Sequence, residues 1–347
     1  MPPIKTLPPG SSTKQGPSAQ DQLYKLRVDT TFVQLPVTVK NRDGRMVDGL
    51  TSTDFTVKEN GQPQKLKFFS ADPFALSVAV VLDLGMSDGA VQKVNQTFSA
   101  LVSAFAPYDE VALYTYSSTV SEVSDFSGAS QKLTALLNQM KTERGRNSGP
   151  PVLGGPLANG PMINGVPVGG APTEPVNTPP KEAHVLNDAV LRAALDLSKR
   201  GRERRKIIFV ISDGREYGSQ ASYRDVLKLL LTHEIEVKAV GLETAALPVY
   251  RKLEQMHIPD QGRGDILPKY VKATGGGDVY TELSLSAISD SYAQAMSEAR
   301  NQYTLGYTPA PLKTPSKSPC RDVEVVVHRP DLKIYAKQSY CPMLAQR

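Results

Sequence analysis

Two short runs constrain this chain most: Leu76-Ser77-Val78-Ala79-Val80-Val81-Leu82 and Ile207-Ile208-Phe209-Val210-Ile211. A strand with one wet face alternates polar and apolar residues. A nearly unbroken apolar strand is covered on both faces, as in a parallel sheet with helices on each side. The segments around these runs carry the helical period. Val91, Val94, Phe98, Leu101, Val102 and Phe105 share one stripe, Leu133, Leu136, Leu137 and Met140 another, and Leu186, Val190, Ala193 and Leu197 a third. Helices are expected at 129–141, 184–199, 221–232, 247–256, 265–273 and 284–301, and further strands at 111–116, 235–241 and 278–280. Strands alternating with helices define a doubly wound α/β domain over 74–301.

The flanks have a different grammar. Val33, Leu35, Val37 and Val39 alternate, with Pro36 marking an edge or a bulge, and Asp54–Lys58 alternates again between turns at 41–44 and 59–62. Strand patterns return at 302–307 and 322–340. Four short strands at the front lack a second layer of their own. The simplest fold class is therefore a discontinuous β-sandwich, 26–72 plus 302–341, with the mainly parallel α/β domain inserted. Residues 1–25 read as a disordered leader without the apolar core of a signal peptide. Residues 145–181 are nearly half Gly and Pro and read as a disordered surface loop.

No apolar run reaches membrane-spanning length. The net charge of +5 is small for 347 residues and spread out, so no nucleic-acid partner is expected. Its one dense run, KRGRERRK at 199–206, reads as a solvated turn before a strand. The only cysteines, Cys320 and Cys341, bracket two strand-like runs, 322–329 and 332–340, separated by Pro330-Asp331. An antiparallel hairpin would bring them together as a disulfide, which implies an oxidising, extracytoplasmic compartment; two free thiols are the alternative.

Ligand sites in doubly wound sheets lie at the carboxyl ends of the strands. Two strands here end in aspartate followed by small residues: Asp83-Leu84-Gly85-Met86-Ser87 and Ser212-Asp213-Gly214. On these loops the sequence resembles the von Willebrand factor type A fold. Over about 27–341 it resembles the VWFA-related acidobacterial domain family, through Val47-Asp48-Gly49-Leu50-Thr51, Asp109-Glu110-Val111-Ala112-Leu113, Asn187-Asp188-Ala189-Val190, Thr274-Gly275-Gly276 and Gln302-Tyr303-Thr304-Leu305-Gly306-Tyr307.

The resemblance implies a site for a divalent ion, Mg²⁺ or Mn²⁺, on an Asp-x-Ser-x-Ser loop, a Thr on a second loop and an Asp at a third. Asp83, Ser87 and Asp213 match it. Gly85 stands in place of the first Ser, and His184 falls where the Thr belongs, unless Thr178 serves instead. Each lost oxygen weakens a hard ion, and an imidazole shifts preference towards Zn²⁺, so the site is expected to be degenerate, with a weakly held cation or none. Asp83, Ser87 and Asp213 as plain loop and helix caps is the bland alternative.

Enzyme signatures are missing. Asp83 begins like a phosphatase nucleophile loop, but Gly85 occupies the place of the second acid, and no phosphate-binding glycine loop or nucleophile elbow follows a buried strand. The expected function is non-catalytic: an extracytoplasmic adhesion or binding module that takes a protein or peptide ligand on the top face of a type A domain. The alternative is a metal-free scaffold component of a larger assembly.

Overall fold

The computed structural model describes residues 32–128, 131–145, 162–163, 166–167, 184–242, 266–281, 284–309 and 320–342. The leader, most of the 145–181 stretch including Thr178, and the helix expected at 247–256 lie outside them. In chain order the leading strands are β1 (Val33–Lys40), β2 (Phe55–Glu59), β3 (Gln62–Gln64) and β4 (Leu66–Ser70). The insert begins with β5 (Leu76–Asp83), α1 (Asp88–Gln96), α2 (Phe98–Ser103), β6 (Glu110–Tyr116), β7 (Val120–Gly128) and α3 (Gln131–Met140). The two-residue strands β8 (Met162–Ile163) and β9 (Val166–Pro167) pair with each other. Then come α4 (Leu186–Ser198), β10 (Arg205–Ser212), α5 (Tyr223–Thr232), β11 (Ile235–Gly241), α6 (Leu267–Thr274), β12 (Tyr280–Thr281) and α7 (Leu285–Arg300). The trailing strands are β13 (Tyr303–Tyr307), β14 (Arg321–Val327), β15 (Lys333–Ala336) and β16 (Ser339–Tyr340).

The insert's sheet runs β12-β11-β10-β5-β6-β7, parallel throughout except for the antiparallel edge strand β7. Every residue of β5 and β10 is buried. Val78, Val80 and Leu82 face α1, α2, α3 and α7, whereas Ala79 and Val81 face α4, α5 and α6. The fold class is thus a doubly wound, mainly parallel α/β domain inserted in a β-sandwich. One expected helical stripe divides: Thr97 ends α1 and precedes α2. Its hydroxyl back-bonds to the Val94 carbonyl at 2.8 Å and lies 3.0 Å from the Tyr292 hydroxyl, an alternative to helix continuation.

Leading and trailing strands share two four-stranded sheets, β15-β1-β13-β4 and β16-β14-β2-β3. Their inner faces bury Val33, Leu35, Val37, Phe55, Val57, Leu305 and Tyr307. Pro36 lies in an inner strand, not at a sheet edge. It sits opposite Thr304 of β13, and β15 joins the other side of β1 only from Val37, so the missing N–H faces an unpaired stretch. The tail also departs from a simple hairpin. β15 leaves β14 to pair with β1, and only β16 returns, placing Arg321 opposite Tyr340. That return suffices to join Cys320 and Cys341 in a disulfide. Closing a loop of this size stabilises by about 3 kcal/mol.

A buried polar network joins insert to sandwich. Lys40 of β1 meets Glu298 of α7 at 2.6 Å, and Lys238 of β11 lies 3.8 Å from the same carboxylate. Gln302 donates to Thr38 at 3.1 Å and to Glu236 at 2.9 Å, and Arg205 donates to the Gln302 carbonyl at 2.7 Å.

Candidate functional site

In the parallel register, Leu82 pairs with Ile211 and Asp83 with Tyr116, so Asp83, Ser212 and Tyr116 end three adjacent strands at one level. The chain leaves β5 towards α1 on one face and β10 towards α5 on the other. The crevice between Asp83 and Asp213 is therefore the topological switch point, where open α/β sheets take their ligands.

Asp83 is 1% exposed. Its Oδ2 accepts the Ser212 hydroxyl at 2.8 Å and the Tyr116 hydroxyl at 3.0 Å, and its Oδ1 accepts the Gly85 N–H at 2.8 Å. Burial, and then the charge of Asp213, outweigh these bonds and push the Asp83 carboxyl up to about 7. Burial also drives the Tyr116 phenol well above its ordinary value. Asp213 accepts the Arg215 N–H at 3.2 Å through Oδ1; its Oδ2 is buried without a hydrogen-bond donor, with Arg215 Nε 3.5 Å away.

His184 reaches the crevice from the loop before α4. Its backbone N–H donates to the Tyr217 carbonyl at 2.7 Å, and its carbonyl accepts the Tyr217 N–H at 2.9 Å. Glu216 holds the start of α4 by accepting the Asn187 N–H at 2.7 Å, while Asp188 accepts the Gln220 and Ala221 N–H groups. So fixed, Asp83, His184 and Asp213 each offer a ligand atom within 4.8 Å of the others.

Gly85 and His184 are two halves of one arrangement. A Cβ built on Gly85 would lie 2.8 Å from His184 Nδ1 and 2.9 Å from its Cε1. The imidazole fills the space a serine at 85 would need. Ser87 is the N-cap of α1, with no side-chain capping bond, and its carbonyl accepts the Ala90 and Val91 N–H groups. Tyr116, Ser212 and Glu216 are the site residues that sequence reasoning missed. For the first two, a signal exists in register: they end the strands flanking Asp83.

These residues do not fit an octahedral, all-oxygen Mg²⁺ shell. One hydroxyl ligand is absent, a ring nitrogen stands in its space, and Asp83 already accepts three hydrogen bonds. Two carboxylates with one imidazole instead form the donor set of a borderline ion such as Zn²⁺. Gly85→Ser alone should cost about 1–3 kcal/mol through overpacking against the ring. Adding His184→Thr should restore stability and improve Mg²⁺ binding, read by thermal melting and calorimetry. Equal melting of the single and double variants would show that ring and side chain do not compete.

The strand order, with its antiparallel edge strand, defines a von Willebrand factor type A fold. Comparison with solved structures finds a von Willebrand factor type A protein from Catenulispora acidiphila, 8% identical with a TM-score of 0.43, covering 85% of this chain and 76% of that one. BatB from Bacteroides thetaiotaomicron is 13% identical with a TM-score of 0.41, covering 65% and 98%. Proximal thread matrix protein 1 from the mussel byssus, in a form with a zinc-occupied MIDAS motif, is 16% identical with a TM-score of 0.41. The match covers 70% of this chain and about half, 49%, of the byssus protein. No family model and no curated protein matches the chain.

Proposed function

We propose that this protein is a non-catalytic binding or adhesion module, working outside the cytoplasm, that captures a protein or peptide ligand at the Asp83–His184–Asp213 crevice. The observation carrying this reading is the buried Asp213 Oδ2, which lacks a hydrogen-bond donor at the switch point, beside an imidazole and a second carboxylate. Arg215 Nε, 3.5 Å from that oxygen, compensates one of the two facing carboxylates, and a cation in the crevice would compensate the second. A borderline ion held by these three side chains would leave a position open for an acidic side chain of the ligand. Tyr217, 36% exposed, adds an aromatic contact of the kind interfaces favour. The Cys320–Cys341 disulfide supports the extracytoplasmic setting. Against catalysis, the Ser212 hydroxyl is fully buried and engaged with Asp83 and Tyr116.

The alternative, a metal-free scaffold component, is favoured by one fact: hydroxyl and amide donors already satisfy Asp83 without an ion. Calorimetry separates the two. Zn²⁺ should bind at least about 100-fold more tightly than Mg²⁺, Mn²⁺ or Ca²⁺, a gap of about 2.7 kcal/mol, and Asp213→Asn should abolish it. Peptides selected on the Zn²⁺-loaded protein should be acidic and should lose binding in chelator and in the same variant. Selection insensitive to both would reject the crevice as the ligand face.

A further inference from the structure

The basic run 199–206 is an exposed turn through Lys199, Arg202 and Glu203 that leads into β10, as expected, but its last two cations are buried at the strand's start. Lys199 pairs with Asp196 and Arg200 with Glu110; Arg202 is exposed, Arg204 half-buried, and Arg205 and Lys206 buried. Arg204 donates to the carbonyls of Leu76 and Tyr108, at 3.2 and 2.7 Å. Arg205, 8% exposed, donates to the Gln302 carbonyl and the Thr304 hydroxyl, and its guanidinium lies 4.9 Å from the Phe74 ring centre. Lys206 is also 8% exposed. Among the described residues, none of Arg202, Arg204, Arg205 or Lys206 has a carboxylate within 4.0 Å.

These four side chains line one pocket of about 40 Å³ at the amino ends of β10 and β11, the opposite end of the sheet from Asp83. The sandwich closes its other side with Gln34 and Pro36, on the stretch of β1 that β15 leaves unpaired, and with Thr304. Two carboxylates, Glu234 and Glu236, share the lining and each also faces a lysine. Glu236 lies 3.2 Å from Lys238 and accepts from Gln302, and Glu234 faces the buried Lys337 at 4.0 Å. His233 completes the wall. Burial pushes Arg205 down to about 10 against the opposing charge of Glu236, and lowers Lys206 against those of Glu234 and Glu203.

We propose that this junction pocket binds a phosphate-type oxyanion, as inorganic phosphate or the head of a phosphate monoester, clamped between insert and sandwich. The charge argues for a dianion, because three guanidinium groups and an ammonium face the carboxylates of Glu234 and Glu236 and leave a surplus of two. The donors argue for tetrahedral oxygens, since guanidinium forks give paired hydrogen bonds to phosphate. Because both domains line the pocket, a ligand there binds only the docked arrangement and stabilises it by linkage.

The test titrates the full chain calorimetrically with inorganic phosphate, phenyl phosphate and acetate at constant ionic strength. One equivalent of phosphate should bind and raise the melting temperature, while acetate does neither. Lys206→Gln should weaken phosphate binding about tenfold, yet melt no lower than wild type in phosphate-free buffer, because it removes a cation from a like-charged cluster. Arg202→Gln, at an exposed position, should act in the same direction. Phenyl phosphate binding as tightly as the free ion would identify the monoester head as the ligand; binding of inorganic phosphate alone would identify the free ion. Heats matched by sodium chloride, or phosphate affinity unchanged in both variants, would overturn the proposal.

Discussion

Glu298→Gln should lower the unfolding free energy by about 3–5 kcal/mol, because it leaves the buried Lys40 ammonium without its counter-charge. Glu298 is 3% exposed and is the only carboxylate within 4.0 Å of Lys40 among the described residues. Without it, Lys40 keeps only the faces of Tyr335 and Tyr280, at 5.4 and 6.0 Å. Lys238 is better placed, since Glu236 and the Gly276 carbonyl remain at 3.2 and 3.0 Å. Lys40→Met should therefore cost less than Glu298→Gln: its removal leaves Glu298 with Lys238, with Gln294 donating at 2.9 Å, and no orphaned cation. Urea unfolding of the three proteins decides the order. A loss below about 1 kcal/mol for Glu298→Gln, or a larger one for Lys40→Met, would show that water reaches this junction and screens it.

The parts of the molecule legible in sequence are those where one physical demand dominates. β5 and β10 announce themselves because strands covered on both faces cannot alternate, and their carboxyl ends then locate Asp83 and Asp213. The cysteine pair is legible because its two positions close one chain reversal, even though β15 crosses to the other sheet on the way. What stayed hidden depends on contacts between distant segments. His184 and Gly85 read separately as two losses from a metal motif. Only the fold reveals that the ring occupies the space the glycine leaves. The run 199–206 has the composition of a wet surface, and nothing local shows that Gln302 and Thr304 approach from the sandwich to receive Arg205. β7 is a half-exposed edge strand whose pattern, with Ser at three of nine positions, gives little period to detect.

Stability should fall as pH rises from about 4 to about 7, insofar as Asp83 controls it, by up to about 4 kcal/mol. In the native protein its carboxyl is raised from 3.8 to about 7 by burial and by Asp213. In the unfolded chain it ionises at its ordinary value. Across that window the native state therefore holds a proton that the unfolded state has released, and each unit of pH favours unfolding. Other groups oppose this. Asp196, Glu110 and Glu298 have lowered values, so their contributions are present above the usual carboxylate range and lost as pH falls. The Asp83 contribution must accordingly be read as a difference between wild type and Asp83→Asn, which cannot ionise and keeps an oxygen for the Ser212 and Tyr116 hydroxyls. The variant should be the less stable protein near pH 4, where it forfeits the bond from the Gly85 N–H, and should gain on wild type steadily towards neutrality. Zn²⁺ near pH 7.5 should then restore stability to wild type and not to the variant, because a cation compensates the paired carboxylates where the proton no longer does. A difference profile flat between pH 4 and 7 would mean that the hydroxyl and amide donors hold Asp83 ionised throughout, leaving the crevice no need of a cation.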